Sequence, residues 1–250
     1  APLPAFTDMH RRRRRGGARF LQESTVGAGL PILTTLRDLR TTGDRVHFVE
    51  GILSGTLAYL FNVFDGSRPF SALVAEARAR GFTEPDPRDD LSGTDVARKL
   101  VILGCEMGLA VELGDVEVES LVPPELDDVD VDGFLEGLRT VDDALERRRA
   151  EAAADDRVLR FVGRVDADGR ARARIEALPA DHPFTSIDLT DNVVRFVSDR
   201  YADNALVVRG PGAGPAVTAG GVFADLLRLC SGLGADIDPA GGEGGRSTRA

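Results

Sequence analysis

Between Thr83 and Lys99 the chain reads TEPDPRDDLSGTDVARK and carries five carboxylates, Glu84, Asp86, Asp89, Asp90 and Asp95. Lys99, which ends the stretch, is the only lysine among 31 basic residues. A guanidinium stays protonated in proteins, whereas an ammonium can hand over its proton, so a chain that uses arginine everywhere else has kept one group suited to acid chemistry. Codon bias would also leave a lone lysine. Asp95 sits four residues before Lys99, the favourable order for an acid–lysine pair on a helix. Read blandly, this is a surface ion pair worth about 0.2–0.5 kcal/mol. Read sharply, it is a half-buried ammonium facing carboxylates on a proline-stiffened loop. Acids so placed would bind a cationic amine, and the lysine would protonate or polarise an oxygen.

Two glycine-rich turns are the other candidates. In FLQESTVGAGLP (20–31), Glu23 precedes Gly27 and Gly29. A loop with free carbonyls beside one carboxylate can hold a hard cation through oxygen ligands. A tight turn before a helix is the simpler reading of the same residues. The second turn, Gly210-Pro-Gly-Ala-Gly214, precedes a helical pattern, an arrangement that suits a phosphate or a cofactor. Its GxGxG spacing is not the GxGxxG of a dinucleotide fold, and no acid follows at the ribose distance.

The elements that must position these residues follow from periodicity. Residues 20–31 read as a strand edge entering the glycine loop, followed by a helix over 32–40. Alternation over 45–52 predicts a strand, and Ser54-Gly55-Thr56 leads into an apolar helix over 57–64. A helix over 71–80 ends at Gly81. Pro85 and Pro87 hold residues 83–88 extended. Ser92-x-x-Asp95 resembles a capping box, and the helix it opens runs to Met107 and stops at Gly108. Val96, Leu100, Leu103 and Met107 form its apolar stripe, with Lys99 on the border. Residues 109–156 are acidic and read as largely helical. Asp128-x-Asp130-x-Asp132-Gly133 imitates a calcium loop, but its twelfth position is Arg139 rather than a bidentate glutamate, so an EF-hand is excluded. Strands over 158–165 and 171–177 flank a hairpin turn at Gly169, and strands over 192–198 and 205–209 join them in an antiparallel sheet with the 45–52 strand.

Composition bounds the class. The 250 residues, 42% hydrophobic, are enough for a large core. No run reaches the length of a membrane span, and no apolar segment follows the first arginines as a secretory signal would require. The net charge of −10 argues against a nucleic-acid groove. Arg11–Arg15 reads as a solvated helix face or as an electrostatic arm. Cys105 and Cys230 lack CxxC spacing and read as reduced core thiols, with a cytoplasmic location as the default.

Taken together, FLQESTVGAGLP, GILSGTLAY, GFTEPDPRDDLSGTDVARK and RGPGAGPAVTAGGVFADLL resemble homoserine dehydrogenase over about 20–233. The resemblance implies an enzyme that reduces L-aspartate 4-semialdehyde to L-homoserine with NADPH or NADH, at the branch toward threonine, methionine and isoleucine. It implies an α+β fold with a mixed sheet, covered by helices on one face, that forms a homodimer. By the same resemblance Lys99 is the proton donor, Glu84, Asp95 and Asp90 belong to the substrate site, and Gly214 touches the nicotinamide cofactor. Glu23, Val26, Ala28 and Leu30 match a loop that holds a sodium ion. The expected organisation is a linker remnant over 1–19, a substrate-binding and dimerisation domain over 20–209, a returning glycine turn and helix over 210–234, and a disordered tail over 235–250. The family's Rossmann domain and its second active-site lysine have no counterpart in the sequence, so the chain is expected to be a piece that turns over slowly or not at all alone. A non-catalytic dimerising or amino-acid-binding module is the alternative.

Overall fold

The computed structural model describes residues 20–187 and 190–232; the arginine block, the linker remnant and the tail lie outside the described residues. Six strands form one sheet in the order β2-β4-β3-β1-β5-β6. They are β1 (Val46–Ile52), β2 (Val116–Val118), β3 (Arg157–Asp166), β4 (Ala171–Pro179), β5 (Asp191–Ser198) and β6 (Leu206–Pro211). The pairings are antiparallel except β2 with β4, so the sheet is mixed. The helices are α1 (Ile32–Thr41), α2 (Gly55–Val63), α3 (Phe70–Ala79), α4 (Arg88–Leu91), α5 (Thr94–Met107), α6 (Val131–Gly137), α7 (Asp142–Ala154) and α8 (Pro215–Gly232). None of the described helices is long and apolar enough to cross a membrane.

One main core lies between the helices and one sheet face. Val49, Phe161, Val165, Ile175, Val194 and Phe196 from the strands pack there with Leu57 and Leu60 of α2 and with Val96, Leu100 and Leu103 of α5. The expected stripe of α5 is therefore the buried one, with Met107 at its partly buried edge.

Four local expectations are corrected. Residues 20–31 contain no strand; Glu23–Thr25 form a 3-10 turn instead. The extended segment ends before Arg88, where α4 begins, because that guanidinium gathers the carbonyls of Leu126, Asp127 and Val129 together with the Asp86 carboxylate. The capping box is absent. Ser92 is still in the right-handed helical region, and Gly93, at φ +70°, is the N-cap residue of α5. That left-handed turn between two helices favours glycine, which has no Cβ to clash. Asp95 is thereby released from capping to pair with Lys99 at 2.8 Å. Finally, residues 109–156 include strand β2, too short for an alternation signal and formed through pairing with β4. Asp130 of the calcium-like run caps α6 by accepting from the Gly133 N–H.

Candidate active site

Lys99 leaves the apolar side of α5 at its border and reaches the C-terminal end of β1. There its Nζ donates to the Leu53 carbonyl at 2.6 Å and to Asp95 Oδ2 at 2.8 Å. Its side chain is only 17% exposed, which settles the choice between surface pair and half-buried ammonium in favour of the second. The Leu53 carbonyl is available because the chain turns directly from β1 into α2, whose start is capped by the Ser54 hydroxyl accepting from the Leu57 N–H.

The ammonium opens onto a cleft of about 470 Å³. Its walls include Glu84 and Asp90 from the proline loop and α4, Asp95 from α5, and the backbone of Gly212, Ala213 and Gly214. Lys99, Glu84, Asp90, Asp95 and Gly214, spread across the sequence, thus line one cavity.

Asp90 is the best anchored of the acids. Its Oδ1 lies 2.7 Å from the Thr56 hydroxyl, and its Oδ2 accepts from the Glu84 N–H at 2.8 Å. Both oxygens are engaged by protein groups, and the second contact fixes the backbone that carries Glu84. Burial raises the Asp90 carboxyl above the ordinary carboxylate range, and the neighbouring charges of Asp89 and Asp95 add to the rise, against the Thr56 and Glu84 hydrogen bonds. The Thr56 hydroxyl has one proton and two acceptors at 2.7 Å, Asp90 Oδ1 and the Phe82 carbonyl. A protonated Asp90, or an asparagine, supplies the missing donor.

This geometry has a testable consequence. A carboxyl whose folded pKa is raised stabilises the fold at low pH and loses that contribution as pH climbs from its unfolded value, about 3.9, through its folded value. Asp90→Asn is therefore expected to raise Tm near neutral pH, with the gain shrinking to nothing in acid. Thermal unfolding across pH checks this. An equal gain at every pH would contradict it.

Glu23 is 3% exposed and sits under the start of α1. Its carboxylate accepts from the Leu33 N–H at 2.7 Å, from the Thr34 N–H at 2.9 Å and from the Thr34 hydroxyl. Arg228 of α8 lies 3.6 Å away. The adjoining turn has positive φ at both Gly27 and Ala28. Cys105 and Cys230 are free, and each is half-buried rather than deep in the core. Burial pushes the Cys105 thiol up, aided by Glu106, so the thiol stays protonated near neutral pH.

Sequence reasoning missed Thr56, the Leu53 carbonyl and Asn192, and within the glycine turn it pointed to Gly214 rather than Gly212. Ser54-Gly55-Thr56 was visible as a helix start. A main-chain carbonyl leaves no trace in residue types.

Comparison with known proteins identifies the family. Residues 31–227 match the family model described as homoserine dehydrogenase. Over 238 residues the chain is 51% identical to the bifunctional aspartokinase/homoserine dehydrogenase 1, chloroplastic, of Zea mays, covering 94% of the chain and 26% of that protein. Over 235 residues it is 43% identical to the homoserine dehydrogenase of Schizosaccharomyces pombe, covering 91% and 62%. A hyperthermophilic archaeal homoserine dehydrogenase solved in complex with NADPH shares the fold, with a TM-score of 0.68 at 21% identity, covering 92% of this chain and 61% of that one. The chain thus spans about a quarter of the bifunctional relative's length. With a family model matching most of its length and a cleft built around Lys99, the chain belongs to the homoserine dehydrogenase family.

Proposed function

We propose that the full-length protein carrying this chain reduces L-aspartate 4-semialdehyde to L-homoserine with NADPH or NADH, within aspartate-family amino-acid biosynthesis. The observation that carries this is the Lys99 ammonium, fixed between Asp95 and the Leu53 carbonyl, opening onto a cleft walled by further carboxylates. Glu84 and Asp95 are placed to hold the substrate's ammonium, and Asp90 supports Glu84 from behind. As the aldehyde carbon is reduced, its oxygen gains negative charge. Lys99 stabilises that charge and gives the oxygen its proton, completing the alcohol. Solvent at the cleft mouth returns a proton to Lys99.

The chain's contribution to cofactor binding is the turn at Gly212, Ala213 and Gly214. It offers the cleft a wall of backbone with nothing larger than a methyl group, which suits a flat ring. When bound there, a nicotinamide cofactor supplies the hydride. The archaeal relative solved with NADPH supports this reading. Glu23 with the carbonyls of Val26, Ala28 and Leu30 is an all-oxygen donor set suited to a hard cation such as sodium.

The second copy of a homodimer would meet the sheet face away from the helices. Glu50 there is buried between Arg164 at 3.2 Å and Arg195 at 2.7 Å, and Arg164 lies 3.6 Å over the Phe48 ring. Light scattering on the full-length protein would show a monomer mass if this is wrong. An acidic chain with this cleft needs neither nucleic acid nor a membrane as partner. The cytoplasmic expectation stands beside a maize relative named as chloroplastic. A non-catalytic module is not favoured, because the acid-chemistry group is intact. The direct test is oxidation of L-homoserine by the full-length gene product, followed as NADH or NADPH formation. No turnover with either cofactor would refute the proposal.

A further inference from the structure

Asn192, the second residue of β5, is 1% exposed and faces the same side of the sheet as Val194 and Phe196. Its Nδ2 donates to the Leu53 carbonyl at 3.5 Å, the same oxygen that accepts from Lys99. Its Oδ1 is buried and has no partner among the described residues. The orientation of the amide follows from chemistry, since a carbonyl can only accept and Nδ2 must face it. The amide as a whole lies against the glycine turn. A Cβ placed on Gly212 would lie 2.0 Å from Asn192 Cγ, 2.2 Å from its Nδ2 and 2.4 Å from its Oδ1. Gly212 is therefore the residue that lets the turn lie directly on the amide.

An unpaired buried acceptor destabilises the fold, because its lost hydration is not replaced. A leucine of similar size would fill the space without that cost. What asparagine offers in exchange is its donor, and that donor goes to the carbonyl that holds the site's ammonium. We infer that Asn192 is a positioning residue for proton transfer: it fixes the Leu53 carbonyl and, through it, the Lys99 ammonium relative to the glycine turn. The carbonyl then accepts from two donors, Lys99 at 2.6 Å and Asn192 at 3.5 Å, and the second favours the orientation that meets the lysine. The amide also serves as the floor on which Gly212 rests, setting the proton donor and the cofactor-facing wall at one separation. This role rests on the proposed function, because it concerns Lys99 as proton donor.

The experiment uses the full-length gene product and compares wild type, Asn192→Leu and Asn192→Asp. Asn192→Leu removes both the donor and the orphan acceptor. It is expected to keep or raise Tm while lowering kcat about 10–100-fold, the scale of a small misplacement of a reacting group, with KM for L-homoserine changed less than about threefold. Asn192→Asp is nearly isosteric. Ionised, it cannot donate to Leu53; protonated, as burial favours at lower pH, it can. Its kcat is expected to recover toward wild type as pH falls, while Asn192→Leu stays low throughout.

Wild-type kcat in a folded Asn192→Leu, or an Asn192→Asp profile of the same shape as wild type, would overturn the role. If Asn192→Leu does not fold, the Asn192→Asp profile alone decides. An inactive wild type would instead bring down the functional reading itself, so the two failures are distinguishable.

Discussion

Lys99→Ala in the full-length protein is expected to lower kcat by about 10²–10⁴-fold, the usual worth of a positioned general acid, while cofactor affinity stays within about twofold. The split follows from where the side chain is. Its Nζ bonds the Leu53 carbonyl and Asp95 within the cleft, and α5 itself is held by Val96, Leu100 and Leu103 rather than by the lysine. Removing the ammonium leaves the helix packed and the cofactor-facing turn unaltered. Lys99→Arg is the more telling variant. It keeps the positive charge and can still meet the growing negative charge on the substrate oxygen, but a guanidinium does not give up its proton near neutral pH. It is also planar and too long for a site where Nζ lies 2.6 Å from a carbonyl. Both variants should fail in steady-state turnover, and equilibrium titration of the cofactor should show them binding. Rescue by arginine would mean that charge alone drives the step, and turnover within a few-fold of wild type in Lys99→Ala would remove the lysine from the chemistry.

That prediction could be framed from the sequence because the relevant signals are local. The i,i+4 order of Asp95 and Lys99, the stripe from Val96 to Met107 and the stop at Gly108 fix α5 and the side of it that carries the ammonium. The same holds for α1 and α3, whose C-caps are followed directly by Gly43 and Gly81, both at positive φ. What could not be read depends on distant partners. Strand β2 has three residues and forms because β4 offers it an edge. The start of α3 has no cap of its own, and its Ser71 N–H donates to Asp142, 71 residues downstream. Helix α4 exists where Arg88 gathers carbonyls from 126–129. In the cleft the division is the same. The carboxylates and the lysine are visible as residue types, whereas the Leu53 carbonyl, the Asn192 amide behind it and the Thr56–Asp90 contact come from tertiary packing.

Glu23 is where a local reading and a packed one make different demands, and its replacement should carry the largest stability cost. Turn chemistry and cation binding both account for the loop, and the structure adds a third duty, capping α1 through Leu33 and Thr34. Glu23→Ala strands these donors in a buried setting, at about 1–3 kcal/mol for each group left unpaired and not fully additive, for a total near 2–4 kcal/mol. For a domain of this size that is a fall in Tm of roughly 5–15 °C. Glu23→Gln separates the duties. Its amide oxygen still accepts from the helix start, so most of the capping survives, but its charge is gone. If the loop holds a cation with the carbonyls of Val26, Ala28 and Leu30, wild type should gain Tm when sodium replaces tetramethylammonium at constant ionic strength, because a ligand that binds only the folded state stabilises it. Glu23→Gln should lose that gain while remaining well above Glu23→Ala. A sodium response equal in wild type and Glu23→Gln would leave Glu23 as a helix cap alone, since a site built on one carboxylate cannot keep its affinity for a hard cation after that carboxylate becomes an amide.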